Sequence, residues 1–263
     1  MKIITWNLAN YDDHPHWDVR LKLLASEIVK HKPDVIALQE VRFNKKAPST
    51  VSTGWNTAEQ LLAELYKLKY DRDAYLAVEP AMFYTKTGSV FLDFFLTDGL
   101  DRHFWEGLAV ISKEPIIESN NLILNSNPPE SDKNIRNAQI IRIGRFRLVN
   151  THLSYNQDEA FENIKTVLEC LKRYRIEDCV ICGDFNVTPD NPVIKLMEKH
   201  NFVSVGEIIS THPSSNPLKK LDYFFVPQDI FDRVISCSII GTEANEAGIY
   251  PSDHLGLLLE IDI

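Results

Sequence analysis

Cys179-Val180-Ile181-Cys182-Gly183-Asp184-Phe185-Asn186 runs four apolar residues into a glycine and then into alternating polar and aromatic side chains. A short apolar run closed by Gly reads as a buried strand of an α/β sheet. Asp184 and Asn186 are one residue apart, so if the extended geometry persists both leave one face while Phe185 packs on the other. A carboxylate beside an amide donor can orient an attacking water and meet developing oxyanion charge. An Asx turn after Gly183, leading into Thr188-Pro189, is the alternative for the same residues.

Working outward, three similar islands end other strand-like stretches: Ile4-Thr5-Trp6-Asn7, Ala37-Leu38-Gln39-Glu40 and Ser252-Asp253-His254. Lys2 to Trp6 reads as a strand, and Asp18 to His31 as a helix with Leu21, Leu24 and Ile28 at helical spacing, stopped by Pro33. Val35 to Leu38 is a second strand, and Ala58, Leu61, Leu62, Leu65 and Leu68 mark a second helix. Strand-like runs follow at Leu108–Ile111, Ile116–Leu124, Ala138–Ile143 and Phe146–His152, with a turn at Gly144-Arg145. A helix over Gln157–Tyr174 leads to the quoted strand, a helix over Pro192–Lys199, and strands near Leu221–Val226, Val234–Ile239 and Leu255–Ile261. Two strand-and-helix halves emerge, without a sequence repeat. The pattern predicts a four-layer α/β sandwich, two packed mixed sheets flanked by helices, with residues 1–263 as a single domain. Asn125 to Lys133 is the most disorder-prone stretch.

Hydrophobic residues make up 44% and charged residues 25% of the chain, and no run approaches the roughly 20 apolar residues of a membrane span. A soluble protein without a membrane span is expected, and a monomer. Met1 to Asn7 enters a strand at once with no signal-peptide core, which predicts a cytoplasmic location. Cys170, Cys179, Cys182 and Cys237 lack disulfide-framework spacing; Cys179 and Cys182 form C-x-x-C within a strand, which reads as buried thiols rather than a redox or zinc motif. With 28 Lys and Arg against 37 Asp and Glu, the net charge is −9 and the surface repels polyanions. Any nucleic acid must be held locally.

Glu40 offers a hard oxygen at a strand end, suited to Mg2+ or Mn2+, or is a solvated Glu. Asn7 is an amide ligand or a turn residue before Leu8-Ala9-Asn10. Asp253-His254 supplies one metal-capable carboxylate and one group titrating near neutrality; His254 needs an orienting acid from elsewhere, for which Asp222 is suited. His152 closes its strand where it can donate to a phosphoryl oxygen. His14, His16, His31, His103, His200 and His212 show no zinc spacing, with His14, His103 and His212 in loops. There is no phosphate-cradling glycine loop and no G-x-S-x-G elbow.

Thr5-Trp6-Asn7, Leu38-Gln39-Glu40, Asn150-Thr151-His152-Leu153, Gly183-Asp184-Phe185-Asn186, Leu221-Asp222-Tyr223 and Ser252-Asp253-His254, with Gly107-Leu108-Ala109-Val110-Ile111-Ser112, resemble the motifs of the endonuclease/exonuclease/phosphatase family, the DNase I-like superfamily. The resemblance spans essentially the whole chain. It implies a DNase I-like fold and a Mg2+- or Mn2+-dependent hydrolase of phosphoesters without a covalent intermediate. By position, Glu40 with Asn7 would hold the metal and Asp253 would be a further ligand. Asp184 would handle the attacking water, Asn186 and His152 would contact phosphoryl oxygens, and His254, oriented by Asp222, would be general base or phosphate-stabilising acid. Val41 after Glu40, and Thr151-His152-Leu153, look less like abasic-site endonucleases. The ending Tyr250 to Leu258 is similar to tyrosyl-DNA phosphodiesterase 2 enzymes.

Substrate choice would lie in the loops Arg42–Trp55 and Tyr84–Trp105. The latter holds Phe91, Phe94, Phe95, Phe104 and Trp105, which either stack on a base or lipid-like group or fill core. Arg102 and Arg136 are candidate phosphate clamps, since guanidinium binds phosphate bidentately. The expected partner is a phosphoester, from nucleic acid to a phosphorylated small molecule. The alternative is a catalytically silent module that binds a phospholigand or a protein partner on the same fold.

Overall fold

The computed structural model describes residues 1–44, 54–83, 104–125, 130, 132–176, 178–206 and 209–263. Its first half runs β1 (Lys2–Asn7), α1 (Trp17–His31), β2 (Val35–Asn44), α2 (Thr57–Lys67), β3 (Tyr75–Phe83), β4 (Phe104–Ser112), β5 (Ile116–Ile123) and β6 (Asn137–Ile143). The second runs β7 (Phe146–His152), α3 (Gln157–Arg173), β8 (Val180–Asp184), α4 (Pro192–Lys199), β9 (Phe202–Ser204), β10 (Asp222–Pro227), a 3-10 turn over Gln228–Arg233, β11 (Val234–Ile240) and β12 (Gly256–Ile261). Asn56, Asn156 and Asn191 cap α2, α3 and α4 by accepting first-turn N–H groups, which are otherwise orphaned.

The strands form two six-stranded sheets, ordered β11-β12-β1-β2-β4-β3 and β5-β6-β7-β8-β10-β9. β1 runs parallel to β2 and β7 parallel to β8, and the other ladders are antiparallel. The expected four-layer α/β sandwich is the fold. Alternation along each strand sorts its side chains between layers. Ile4, Trp6, Ile36 and Leu38 face Leu24, Ile28, Leu61 and Leu65 of α1 and α2. Ile3, Val35 and Ala37 face Leu148, Val180 and Phe224 of the opposite sheet. Val149 and Ile181 pack outward with Ile164, Val167 and Met197 of α3 and α4.

Toward the carboxyl ends of the parallel pairs this inter-sheet layer turns polar. Gln39 Nε2 donates to Thr5 Oγ1 (3.0 Å) and, across the gap, to Asn150 Oδ1 (2.7 Å). Asn150 Nδ2 in turn donates to the carbonyls of Leu38 and Ala109. These bonds fix how the two sheets face each other where the site begins, because a buried amide left unpaired is costly.

Two strands escaped the sequence reading, each at a sheet edge. β3 contains Pro80, which a central ladder would not tolerate but an edge strand with a bulge at Pro80/Met82 does. β9 is three residues long, too short for a period to register.

Candidate active site

In β8 the alternation that sends Val180 and Cys182 into the inter-sheet layer carries Asp184 to the same face, while Phe185 packs outward against Tyr223 and Phe225. A Cβ on Gly183, whose φ is +137°, would stand 1.9 Å from the Thr151 carbonyl oxygen, so only glycine lets β8 lie this close to β7. Register then sets Asp184 opposite both His152 of β7 and Asp222 of β10.

Asp184 is 1% exposed, and its Oδ2 is a meeting point. Asn7 Nδ2, from the other sheet, donates to it at 3.0 Å, and Nε2 of His152 and of His254 lie 3.6 and 3.7 Å away. Asp184 Oδ1 accepts the Asn186 N–H (2.9 Å), so the Asx turn exists and serves to aim Asn186. Asn186 Nδ2 donates to His152 Nε2 (3.1 Å) and to the Leu153 carbonyl (3.1 Å). His254 Nδ1–H donates to Asp222 Oδ2 at 2.8 Å, and Asp222 Oδ1 is buried without a hydrogen-bond partner among the described residues. Trp6 Nε1–H holds the His254 carbonyl (2.9 Å), which ties β1 to the lead-in of β12.

Burial pushes Asp184 up to about 6; Asp222 adds to the rise, and His254, Asn186 and Asn7 work against it. At His254 burial disfavours the charge, but Asp222, Asp184 and Asp253 outweigh it and hold the imidazole well above its ordinary range. His152 goes the other way: burial, then the positive charges of Arg136 and His254, keep it neutral. Its Nε2 receives Asn186 Nδ2 and Arg136 Nη1–H (3.1 Å), so here His152 accepts, and the donors are its two neighbours.

Glu40 reaches the site by a different route. Gln39 already occupies the inward position of β2, so simple alternation would turn Glu40 outward. A bulge between Leu38 and Val41, with Glu40 at φ +53°, turns it back in. Glu40 is therefore a mid-strand residue at a bulge rather than a strand end, since β2 continues to Asn44. Its Oε1 accepts from Asn7 Nδ2 (3.1 Å), and its Oε2 accepts from the Asn10 N–H (2.9 Å).

Asn10 Nδ2 faces three carboxylates, Asp13 at 2.9 Å, Glu40 at 3.1 Å and Glu106 at 3.4 Å. Burial and the Glu40 charge push Glu106 up to about 7, against the pull of Arg42 and Arg136. Glu40, Glu106 and Asp13 crowd carboxylate oxygens, hard donors of the kind a divalent cation takes, around the Asn10 amide N–H groups, while the Asn7 and Asn10 amide oxygens accept backbone N–H groups.

Asp253 groups with His212 and His254, their ligand atoms all within 4.8 Å of one another. Its Oδ2 lies 3.4 Å from His14 Nε2 and 3.7 Å from His212 Nε2. Burial pushes its carboxyl up, but His212, His254 and His14 overcome it and hold Asp253 down to about 2. Arg136 is buried beside His152, its Nε and Nη2 donating to Asp132 Oδ2 (3.3 and 3.1 Å). Trp105 takes the core-filling alternative. Strand alternation in β4 turns it to the helix side, 9% exposed against Phe43, and sends Glu106 inward instead. Arg102, with Phe91, Phe94, Phe95 and His103, lies outside the described residues.

A sequence model of the Endonuclease/Exonuclease/phosphatase family matches residues 4–254. The chain belongs to the endonuclease/exonuclease/phosphatase family. Members of the family hydrolyse phosphoesters. No curated protein matches the chain significantly in sequence. Among solved structures, an endonuclease/exonuclease/phosphatase family protein from Leptotrichia buccalis C-1013-b is 22% identical with a TM-score of 0.72, each chain covered over 100% of its length. A mannosyl-6-phosphatase from Bacteroides thetaiotaomicron VPI-5482 is 15% identical, TM-score 0.72, with 100% of both chains covered. A humanized D. rerio TDP2 is 17% identical, TM-score 0.63, covering 98% of this chain and 97% of its own. At these identities the likeness is one of fold.

Several residues at this family member's site were not legible beforehand. Arg20, buried on α1, donates to the carbonyls of Leu8 (2.7 Å), Ala9 (2.7 Å), His14 (3.2 Å) and Pro15 (3.1 Å) and shapes the loop after Asn7. An Arg among the apolar positions Trp17, Leu21 and Leu24 was the available signal. Glu106, before Gly107 in an apolar strand, carried a similar one. Asp132 stands in the segment read as disorder-prone, of which 126–129 and 131 lie outside the described residues, yet it is fully buried under Arg136. Nothing local announces that. No described helix is long and apolar enough to cross a membrane.

Proposed function

We propose that this chain is a hydrolase of phosphoric esters, a phosphodiesterase, nuclease or phosphatase, that depends on Mg2+ or Mn2+ and sends a water in line at phosphorus. The observation that carries the reading is the convergence on Asp184 Oδ2 of Asn7 and His254, from β1 and the lead-in to β12 in one sheet, and of His152 from β7 in the other. Buried acids and imidazoles at this density are costly and collect where chemistry needs them.

Glu40 and Asn7, with Asp253 as a further ligand, would hold the divalent cation, which when bound neutralises phosphoryl charge and polarises the ester. Asp184 accepts the proton of the attacking water; raised to about 6, it is basic enough to take that proton and still ionised at neutral pH. Asp222 fixes the His254 ring and its charge, so that Nε2 presents a proton to the phosphoryl oxygens as negative charge grows there. Arg136 and Asn186, the donors gathered at His152, take the remaining oxygens. The neutral His152 acceptor keeps both N–H groups aimed before substrate arrives.

The test is turnover of bis-p-nitrophenyl phosphate, DNA 5′-phosphotyrosyl conjugates, single-stranded DNA, RNA and inositol phosphates with Mg2+ or Mn2+, with chelator controls. At least one ester should turn over only with metal. His254→Ala should lose roughly 100- to 1000-fold, as loss of one charge-stabilising donor typically costs. Absence of metal-dependent turnover on the whole panel, or equal activity in wild type, Asp184→Ala and His254→Ala, overturns the reading.

A further inference from the structure

Tyr155 follows the β7 motif directly and is 53% exposed, belonging to none of the three cores. It is nevertheless held in place. The hydroxyl of Ser154 donates to Asp132, the Ser154 N–H donates to Asn163 Oδ1 (3.1 Å), and Ser154 Oγ accepts the Asn156 N–H (3.1 Å). The Tyr155 carbonyl accepts from Gln157 Nε2 (3.2 Å). Arg136 stands behind the ring, its guanidinium carbon 5.9 Å from the centroid, while its Nη1 touches His152. Asp132, 0% exposed, locks that guanidinium in turn.

We propose that Tyr155 is a stacking platform for a nucleobase of the substrate, the base next to the scissile phosphate. This rests on the hydrolase reading for where that phosphate sits. A rigid ring backed by a cation and largely open to water has the form of a stacking surface for a flat, uncharged π-system. Arg136 couples the two tasks, since the guanidinium that meets the phosphoryl group also supports the ring that takes the base.

The experiment compares wild type, Tyr155→Ala and Tyr155→Phe on two single-stranded dinucleotides, identical except that one lacks the base beside the cleaved phosphate. Tyr155→Ala should lose roughly 5- to 100-fold in kcat/KM on the base-bearing substrate, the worth of one base–aromatic stack, and little on the abasic one. Tyr155→Phe, which keeps the π-face, should stay within about twofold of wild type. Binding is read separately in the Asp184→Ala background, where the fluorescence of a 2-aminopurine dinucleotide should be quenched with Tyr155 present and not with Tyr155→Ala. Equal losses on both substrates, or quenching that survives Tyr155→Ala, overturns the platform. Tyr155-dependent quenching in a protein that hydrolyses no ester would sink the hydrolase reading and leave the platform standing.

Discussion

The two halves of the chain share one backbone plan and divide the chemistry between them. β1-α1-β2-α2-β3-β4-β5-β6 and β7-α3-β8-α4-β9-β10-β11-β12 match element for element, and the two sheet orders superpose position by position. Each half keeps four strands in its own sheet and lends its last two to the other. At the end of the parallel pair the first half sets Asn7 opposite Gln39, where the second sets His152 opposite Asp184. With an amide where its counterpart has a carboxylate, the first half brings its acid in by bulging β2 at Glu40. The lead-in to the last strand supplies Asp132 and Arg136 in one half and Asp253 and His254 in the other. In the proposed reading a cation side and a proton-handling side face each other, and Asn7 Nδ2 bonds to the acid of each, Glu40 and Asp184.

If that division holds, the largest effects should differ in kind. Asp184→Ala removes the proton acceptor and should cost at least about 1000-fold in kcat, as losing a residue that acts in a coupled catalytic unit does, with no rescue by metal. Glu40→Gln weakens only the cation's seat, so its loss of roughly 100- to 1000-fold should be recovered in part by raising Mn2+. Steady-state rates over a metal titration separate the two. Equal rescue of both variants would break the division.

Next in size is the pair that the second half received from β6's lead-in. Asp132→Asn leaves the Arg136 guanidinium buried with its charge uncompensated, which costs about 3 kcal/mol, the low end for breaking a buried pair, because the amide keeps one acceptor. Urea unfolding should report the loss. By contrast, Lys30→Ala on α1 breaks an exposed pair with Glu27 and should change stability little.

Legibility followed the same split between local and distant causes. The β-α-β-α opening and its later return were readable because strand alternation and helical spacing are local, and the strand-end positions of Asn7, His152 and Asp184 came with them. The swap of strand pairs between sheets was legible only in part: the two-residue turn Gly144-Arg145 joins β6 to β7, but nothing in β11 or β12 names β1 as the partner. Glu40 reads as a strand end because the bulge that turns it inward and the continuation of β2 to Asn44 leave no local pattern, and two loops far apart in sequence bring His14 and His212 to Asp253. Trp105 shows the converse: an aromatic beside a polar loop looks like a ligand contact until its strand face is known.

A smaller, pH-dependent effect probes the second half alone. The folded-state pKa of Asp184, raised to about 6, lies above the ordinary carboxylate value, so its contribution favours the fold below about pH 4 and is lost as pH rises through 6. In the absence of metal, Asp184→Asn should match wild type in Tm at pH 4 and exceed it at pH 7.5 by several degrees, at roughly 2–4 °C per kcal/mol for a chain of this size. A constant difference across that range would mean that Asp184 carries no such burden.

The smallest expected effect compares the helices that follow the two parallel strands of interest. α2 begins with a complete capping box, Asn56 accepting from the Ala58 and Glu59 N–H groups and Glu59 answering the Asn56 N–H. α3 begins with Asn156, which accepts from the Glu159 N–H (3.1 Å) next to the site, where Gln157 Nε2 reaches the Asn186 carbonyl (3.3 Å). Replacing either cap by Ala should cost about 1 kcal/mol of stability. Only Asn156→Ala should also lower kcat/KM, by about two- to fivefold, because a displacement that starts at the first turn of α3 passes to Asn186 and Tyr155, whereas α2 touches no donor of the site. If Asn56→Ala lowered kcat/KM as much while the cation titration stayed unchanged, the two halves would be coupled through their outer layers and not only through Asn7.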